Sequence, residues 1–124
     1  MFSQGISSVD ISSKIRKIEL MDNGLTDKGI VLVLSSLSMT TEELNLSQNV
    51  IGPASVDKLV TILRNYEFQL KKLNLSNTKL NDRLGIRVVE ALKKLVYLDL
   101  SNNRITDETS VSLANAISTR LISF

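Results

Sequence analysis

The chain of 124 residues contains no cysteine and no histidine. Without cysteine it forms neither a disulfide nor a thiolate-bound metal site. Without histidine it lacks the commonest general base and the commonest transition-metal ligand. Aromatic residues make up only 4% of the chain, so aliphatic side chains must fill the core. The formal net charge of +2 is too small to indicate binding to nucleic acid or to an anionic membrane.

Long apolar runs and catalytic motifs are also missing. The longest apolar run, residues 29–34, is far shorter than the roughly 20 residues that a membrane-spanning helix needs. The N-terminus lacks the basic start and apolar core of a signal peptide, which indicates a cytoplasmic protein. Because the sequence shows no glycine-rich phosphate loop, calcium loop or Ser-His pair, we predict no enzymatic activity, no metal and no cofactor.

One apolar phrase recurs four times, beginning near residues 15, 41, 70 and 95. Its form is Leu-x-x-Leu-x-Leu-x-x-Asn-x-Leu, with Ile or Thr at some positions. The second apolar positions, 18, 44, 73 and 98, are separated by 26, 29 and 25 residues. Leu-x-Leu alternates with the period of a strand that has one buried face, and the segments after each phrase change to helical spacing. Each repeat is therefore predicted to be a strand, a turn and a helix.

Polar residues punctuate each repeat at fixed places. Asn23, Asn49 and Asn103 follow the strands, and we predict that their amides form a structural ladder by bonding the backbone of the turns. Thr78 interrupts this column. Asp27 and Asp82 follow a capping residue, so we expect each to stabilise the first turn of its own helix.

This pattern resembles the leucine-rich repeat family, and within it the ribonuclease-inhibitor-like class. The resemblance implies an α/β solenoid, a curved right-handed horseshoe segment with parallel inner strands and outer helices. We predict one domain over residues 1–124, with a degenerate helical half-repeat or cap at 1–14 and the start of a fifth strand at 121–124. Leu121 and Phe124 would fill the first two core positions of that strand. Neither end shows an obvious polar cap, so we expect either a longer repeat array or partner contacts that cover the ends.

The resemblance also implies a function. Repeats of this class commonly bind a folded protein through the concave strand face, as enzyme inhibitors, adaptors, or bacterial effectors and effector regulators delivered into a host cytosol. Two alternatives stay open: a segment of a small-GTPase activator, and a purely structural segment of a larger scaffold. We predict a protein partner, with no nucleic acid and no membrane bound.

The candidate partner-binding residues are those between the core leucines, which should point out of the concave face. They carry two lysines and four carboxylates, so this face is predicted to be mildly acidic. Tyr97, the one aromatic residue among them, is expected to form a contact cluster with Met21 and Asp99. The full set is Lys17, Glu19, Met21, Asp22, Glu43, Asn45, Gln48, Lys72, Asn74, Asn77, Tyr97, Asp99 and Asn102.

Overall fold

The computed structural model of the protein describes residues 15–92, 95–116 and 121–123. Short strands and helices alternate along this part of the chain, as the repeats predict. The predicted half-repeat at 1–14 lies outside the described residues. The strands are β1 (Lys17–Glu19), β2 (Glu43–Asn45), β3 (Lys72–Asn74), β4 (Tyr97–Asp99) and β5 (Leu121–Ser123). The helices are α1 (Asp27–Ser35), α2 (Pro53–Arg64), α3 (Asp82–Glu90) and α4 (Asp107–Ala116).

The strands form one parallel sheet in the order β1-β2-β3-β4-β5. Equivalent positions of successive repeats are paired, so that Ile18, Leu44, Leu73 and Leu98 stand side by side across the sheet. A helix connects each of these strands to the next, as parallel pairing requires. The prediction of an α/β solenoid is confirmed.

The core lies between the sheet and the helices. Each of β2, β3 and β4 contains one leucine, and a second leucine follows directly after the strand. All six leucines are at most 2% exposed. The helices pack apolar side chains onto them, as Val56 and Leu59 do from α2 and Val88 and Val89 do from α3. Because the core residues occupy alternate positions, the side chains between them lie on the opposite face of the sheet.

The register of β5 differs from the prediction. Phe124 was expected beside Leu98, but Ile122 is the partner of Leu98 and Leu121 is the partner of Tyr97. The two neighbouring apolar residues of this segment allow the strand to pair in either register, since apolar character alone does not fix which one faces the core.

Candidate binding surface

Row 1 of the open sheet face consists of one residue from each of the strands β1 to β4: Lys17, Glu43, Lys72 and Tyr97. These four residues are direct neighbours across the sheet, so charges of opposite sign alternate from Lys17 to Lys72 and the aromatic ring of Tyr97 follows. Leu121 of β5 is the next residue, paired with Tyr97. Lys17 and Lys72 are exposed, whereas Glu43 and Tyr97 are half-buried. Lys17 also contacts Glu19 of its own strand, with 3.5 Å between Nζ and Oε2.

Row 2 consists of Glu19, Asn45, Asn74 and Asp99, and three of its members also serve the backbone. The Asn45 Oδ1 accepts hydrogen bonds from the amide and hydroxyl of Ser47 at 3.0 and 2.7 Å. The Asp99 Oδ1 binds Ser101 in the same way, at 2.9 and 2.6 Å. Asn74 accepts from the Ser76 amide. Sequence reasoning missed this role, although the Asn-x-Ser and Asp-x-Ser spacing indicates such a turn.

The turn row consists of Asp22, Gln48, Asn77 and Asn102, one residue in each turn after the strand. All four adopt a left-handed backbone, with φ between 53 and 60°. Asp and Asn tolerate this conformation better than other residues with a side chain, which accounts for three of the four residue types. All four side chains are exposed, so they remain available to a partner.

The three residues expected to form a contact cluster, Tyr97, Met21 and Asp99, do not all lie side by side, so their joint contact with a partner stays a prediction. Tyr97 and Asp99 share β4, but Met21 follows β1, three strands away, which at about 4.8 Å per strand is roughly 14 Å. The Met21 sulfur instead accepts a hydrogen bond from the Asn45 amide at 3.6 Å. Tyr97 lies beside Lys72 and borders a shallow groove of about 140 Å³ along rows 1 and 2.

None of the thirteen candidate residues is buried in the core. Eight are exposed: Lys17, Glu19, Met21, Asp22, Gln48, Lys72, Asn77 and Asn102. Five are half-buried: Glu43, Asn45, Asn74, Tyr97 and Asp99. Their arrangement leaves an open polar face with one aromatic side chain, which suits contact with another macromolecule.

Asn49 and Asn103, which follow β2 and β4, each tie their repeat to the one before it. The Asn49 amide donates to the carbonyls of Leu20 and Leu46, and its oxygen accepts from the amides of Asn23 and Leu25. Asn103 makes the equivalent bonds to Leu75, Thr78 and Leu80 of repeat 3 and to Leu100 of its own repeat. Asn23 is exposed, and the turn that it would bind lies outside the described residues.

A sequence model of the leucine-rich repeat matches residues 12–34, 38–60 and 91–114, which together are more than half of the chain. The chain belongs to the leucine-rich repeat family. Leucine-rich repeats generally mediate protein–protein interactions, and their domains are typically non-enzymatic. No curated protein matches this chain.

Repeat 3, most of which falls between the matched segments, has the same strand, turn and helix as its neighbours in this leucine-rich repeat protein. Within the described residues, no helix is long and apolar enough to cross a membrane. The same residues contain no group of carboxylates that would hold a metal ion.

Two aspartates of this leucine-rich repeat protein act across the repeat boundary, which corrects the prediction for their role. The carboxylate of Asp27, in the first turn of α1, accepts bonds from the amides of Gly52, Ala54 and Ser55 at the start of α2. A Cβ at Gly52 would lie 2.8 Å from this carboxylate, so the close approach requires glycine. The sequence pattern predicts that Asp27 stabilises α1, the helix that contains it, but its carboxylate caps α2, the next helix.

Asp82 repeats this arrangement between α3 and α4. It accepts hydrogen bonds from the amide and hydroxyl of Thr106 and from the hydroxyl of Thr109 at 2.6 Å. The Thr106 and Thr109 bonds lower the pKa of Asp82 from 3.8 to about 2. Burial tends to raise the pKa of Asp27, but bonds from Ser55, Gly52 and Ala54 outweigh it and lower that pKa.

The boundary between repeats 2 and 3 lacks both the asparagine side chain and the aspartate carboxylate that join the other repeats. Pro53 stands where the other repeats have the aspartate, so the α3 N-terminus is capped by its own Asn81, whose oxygen accepts from the Leu84 amide at 3.0 Å. Thr78 stands in the asparagine column and is fully buried. Its hydroxyl donates to the Leu75 carbonyl within its own repeat, and the Ile51 amide bonds to the Thr78 main-chain carbonyl instead of to an asparagine side chain.

Proposed function

We propose that this leucine-rich repeat chain binds a folded protein through rows 1 and 2 and the turn row of its open strand face. The observation that carries the proposal is row 1, in which Lys17, Glu43, Lys72 and Tyr97 are aligned across four strands. None of these side chains fills the core. Alternating charges beside an aromatic ring favour a partner with a matching pattern of charges over a partner whose charges all have one sign. The reason is that each charge in the row repels a like charge on the partner.

The mode of action that we propose follows the ribonuclease-inhibitor-like class. The chain would cover a surface of its partner, either as an inhibitor of an enzyme or as an adaptor. The face carries four carboxylates and two lysines, so a partner that presents more Lys and Arg than Asp and Glu fits it best. Tyr97 is the expected anchor, since partly buried aromatic residues often contribute most to the binding energy.

The test begins with identification of proteins that co-purify with the full chain in its cytoplasmic setting. The purified partner is then titrated with the wild type, Tyr97→Ala, Glu43→Lys and the helix-face control Thr61→Lys. We expect Tyr97→Ala and Glu43→Lys each to weaken binding by about tenfold or more, as truncated hot spots do. Thr61 is exposed on α2, and its variant should bind normally. Equal losses from the control, or none from Tyr97→Ala and Glu43→Lys, would contradict the proposal.

A further inference from the structure

A cleft of about 560 Å³ lies between repeats 2 and 3, at the N-terminal ends of their helices. Gly52 and Pro53 line it from repeat 2, and Lys79, Arg83 and Arg87 line it from repeat 3. Lys79 and Arg83 are exposed and Arg87 is half-buried, so solvent reaches all three cations.

The cleft is positively charged. Arg87 pairs with Asp57 of α2, with 2.6 Å between Nη2 and Oδ1, but both side chains are substantially exposed and such a pair exchanges easily. Among the described residues, no carboxylate pairs with Lys79 or Arg83. Asp82 is near, but its carboxylate is engaged by Thr106 and Thr109 of the next repeat. Two cations are therefore left to attract an anion.

The neighbouring boundaries indicate which anion the cleft suits. At the equivalent place between repeats 1 and 2 stands the carboxylate of Asp27, and between repeats 3 and 4 that of Asp82. Pro53 provides no such group, so the boundary between repeats 2 and 3 has a cleft where the other two boundaries have a carboxylate. The Leu84 amide already donates to the Asn81 oxygen, so a carboxylate from outside the chain would be held by the side chains of Lys79, Arg83 and Arg87.

We propose that this cleft binds a carboxylate of an acidic segment in a protein partner. The cleft adjoins the turn row at Lys79, but the proposal does not depend on the function proposed for the open strand face. Its volume exceeds that of a single carboxylate, so neighbouring acidic side chains of the segment would pair with the remaining cations.

An acetylated tetra-glutamate peptide is the probe, with tetra-glutamine and inorganic phosphate as comparisons. Two-dimensional NMR of the full chain should show that tetra-glutamate shifts the amides of Arg83 and Leu84, and that the shifts weaken with added salt. The Arg83→Gln/Arg87→Gln double variant should bind about tenfold more weakly or worse. Arg64→Gln, which removes an exposed charge at the end of α2 outside the cleft, is the matched control and should bind normally.

A second variant tests the same site without removing a cation. Pro53→Asp places a carboxylate of the chain itself beside these cations, so it should prevent tetra-glutamate binding. Unshifted Arg83 and Leu84 amides, or an equal loss of binding in Arg64→Gln, would overturn the site. Binding of tetra-glutamine at the same strength would overturn the role of charge. If phosphate bound more tightly than the peptide and lost its binding in the double variant, the acidic segment would be the wrong occupant.

Discussion

The boundary between repeats 2 and 3 differs from the two boundaries on either side of it. Repeats 1 and 2 are joined by the Asn49 amide and the Asp27 carboxylate, and repeats 3 and 4 by Asn103 and Asp82. Between repeats 2 and 3 there are backbone bonds and one exposed ion pair. Since the stability of a solenoid is close to a sum of repeat and boundary contributions, the described part behaves as two strongly joined pairs with a weaker joint between them.

The substitution expected to change the free energy of unfolding most removes an asparagine. Asn49→Ala should lower the free energy of unfolding by about 3 kcal/mol, because it leaves several backbone groups of two turns without partners in a buried place. Thr78→Ala, at the equivalent position of repeat 3, should cost about 1 kcal/mol, since it removes the hydroxyl bonds to Leu75 and Asn103 but none to repeat 2. Urea denaturation of both variants measures the difference. Equal losses would show that the asparagine column does not distinguish the boundaries.

The aspartates are the next test. Asp27→Ala removes the carboxylate that caps α2 from the neighbouring repeat, and should cost about 1 kcal/mol as lost helix caps do. Pro53→Ala, at the equivalent place of repeat 2, removes no such bond and serves as the control. Thermal unfolding followed by circular dichroism measures both. A loss of stability in Pro53→Ala as large as that in Asp27→Ala would contradict the role given to the aspartate.

The same carboxylates make stability depend on pH. Asp82 has its pKa lowered to about 2 in the fold, and the pKa of Asp27 is lowered as well. Because the folded values lie below the unfolded ones, this stabilisation is fully present above about pH 4 and is lost as the pH falls toward 2. We expect the melting temperature to fall over that range, and to fall less in the Asp27→Asn/Asp82→Asn double variant. The exposed control Glu67→Gln should keep the wild-type profile.

The fold is readable from the sequence because its signals are local and repeated. Leu44 in β2 and Leu46 just after it show the period of a half-buried strand, and Val56 and Leu59 show that of the following helix, without knowledge of the rest of the chain. The same pattern occurs four times, so each copy predicts the same strand, turn and helix and together they predict a solenoid. The β5 segment is different, because Leu121 and Ile122 are both apolar and their order alone does not select a register.

The candidate site is less readable. Alternation predicts that Asn45 and Asp99 lie on the open face, but not that each also binds a serine two residues later. Asp27 carries the signal of an ordinary helix start, and only the stacking of repeats brings its carboxylate to the next helix. The cleft depends on Pro53 and Lys79, which are 26 positions apart in the sequence, and no local pattern joins them.

The smallest expected effect concerns the turn of repeat 3. Lys79 has a left-handed backbone, with φ of 61°, at the place where repeat 1 has Gly24 with φ of 66°. A left-handed residue with a side chain costs about 1–2 kcal/mol, and glycine loses about 0.5–1 kcal/mol through chain entropy, so Lys79→Gly should stabilise the protein by about 0.5 kcal/mol. Val50, at the same place in repeat 2, is not left-handed, and Val50→Gly should destabilise. Urea denaturation that gave both variants the same sign would show that the turn of repeat 3 is not strained.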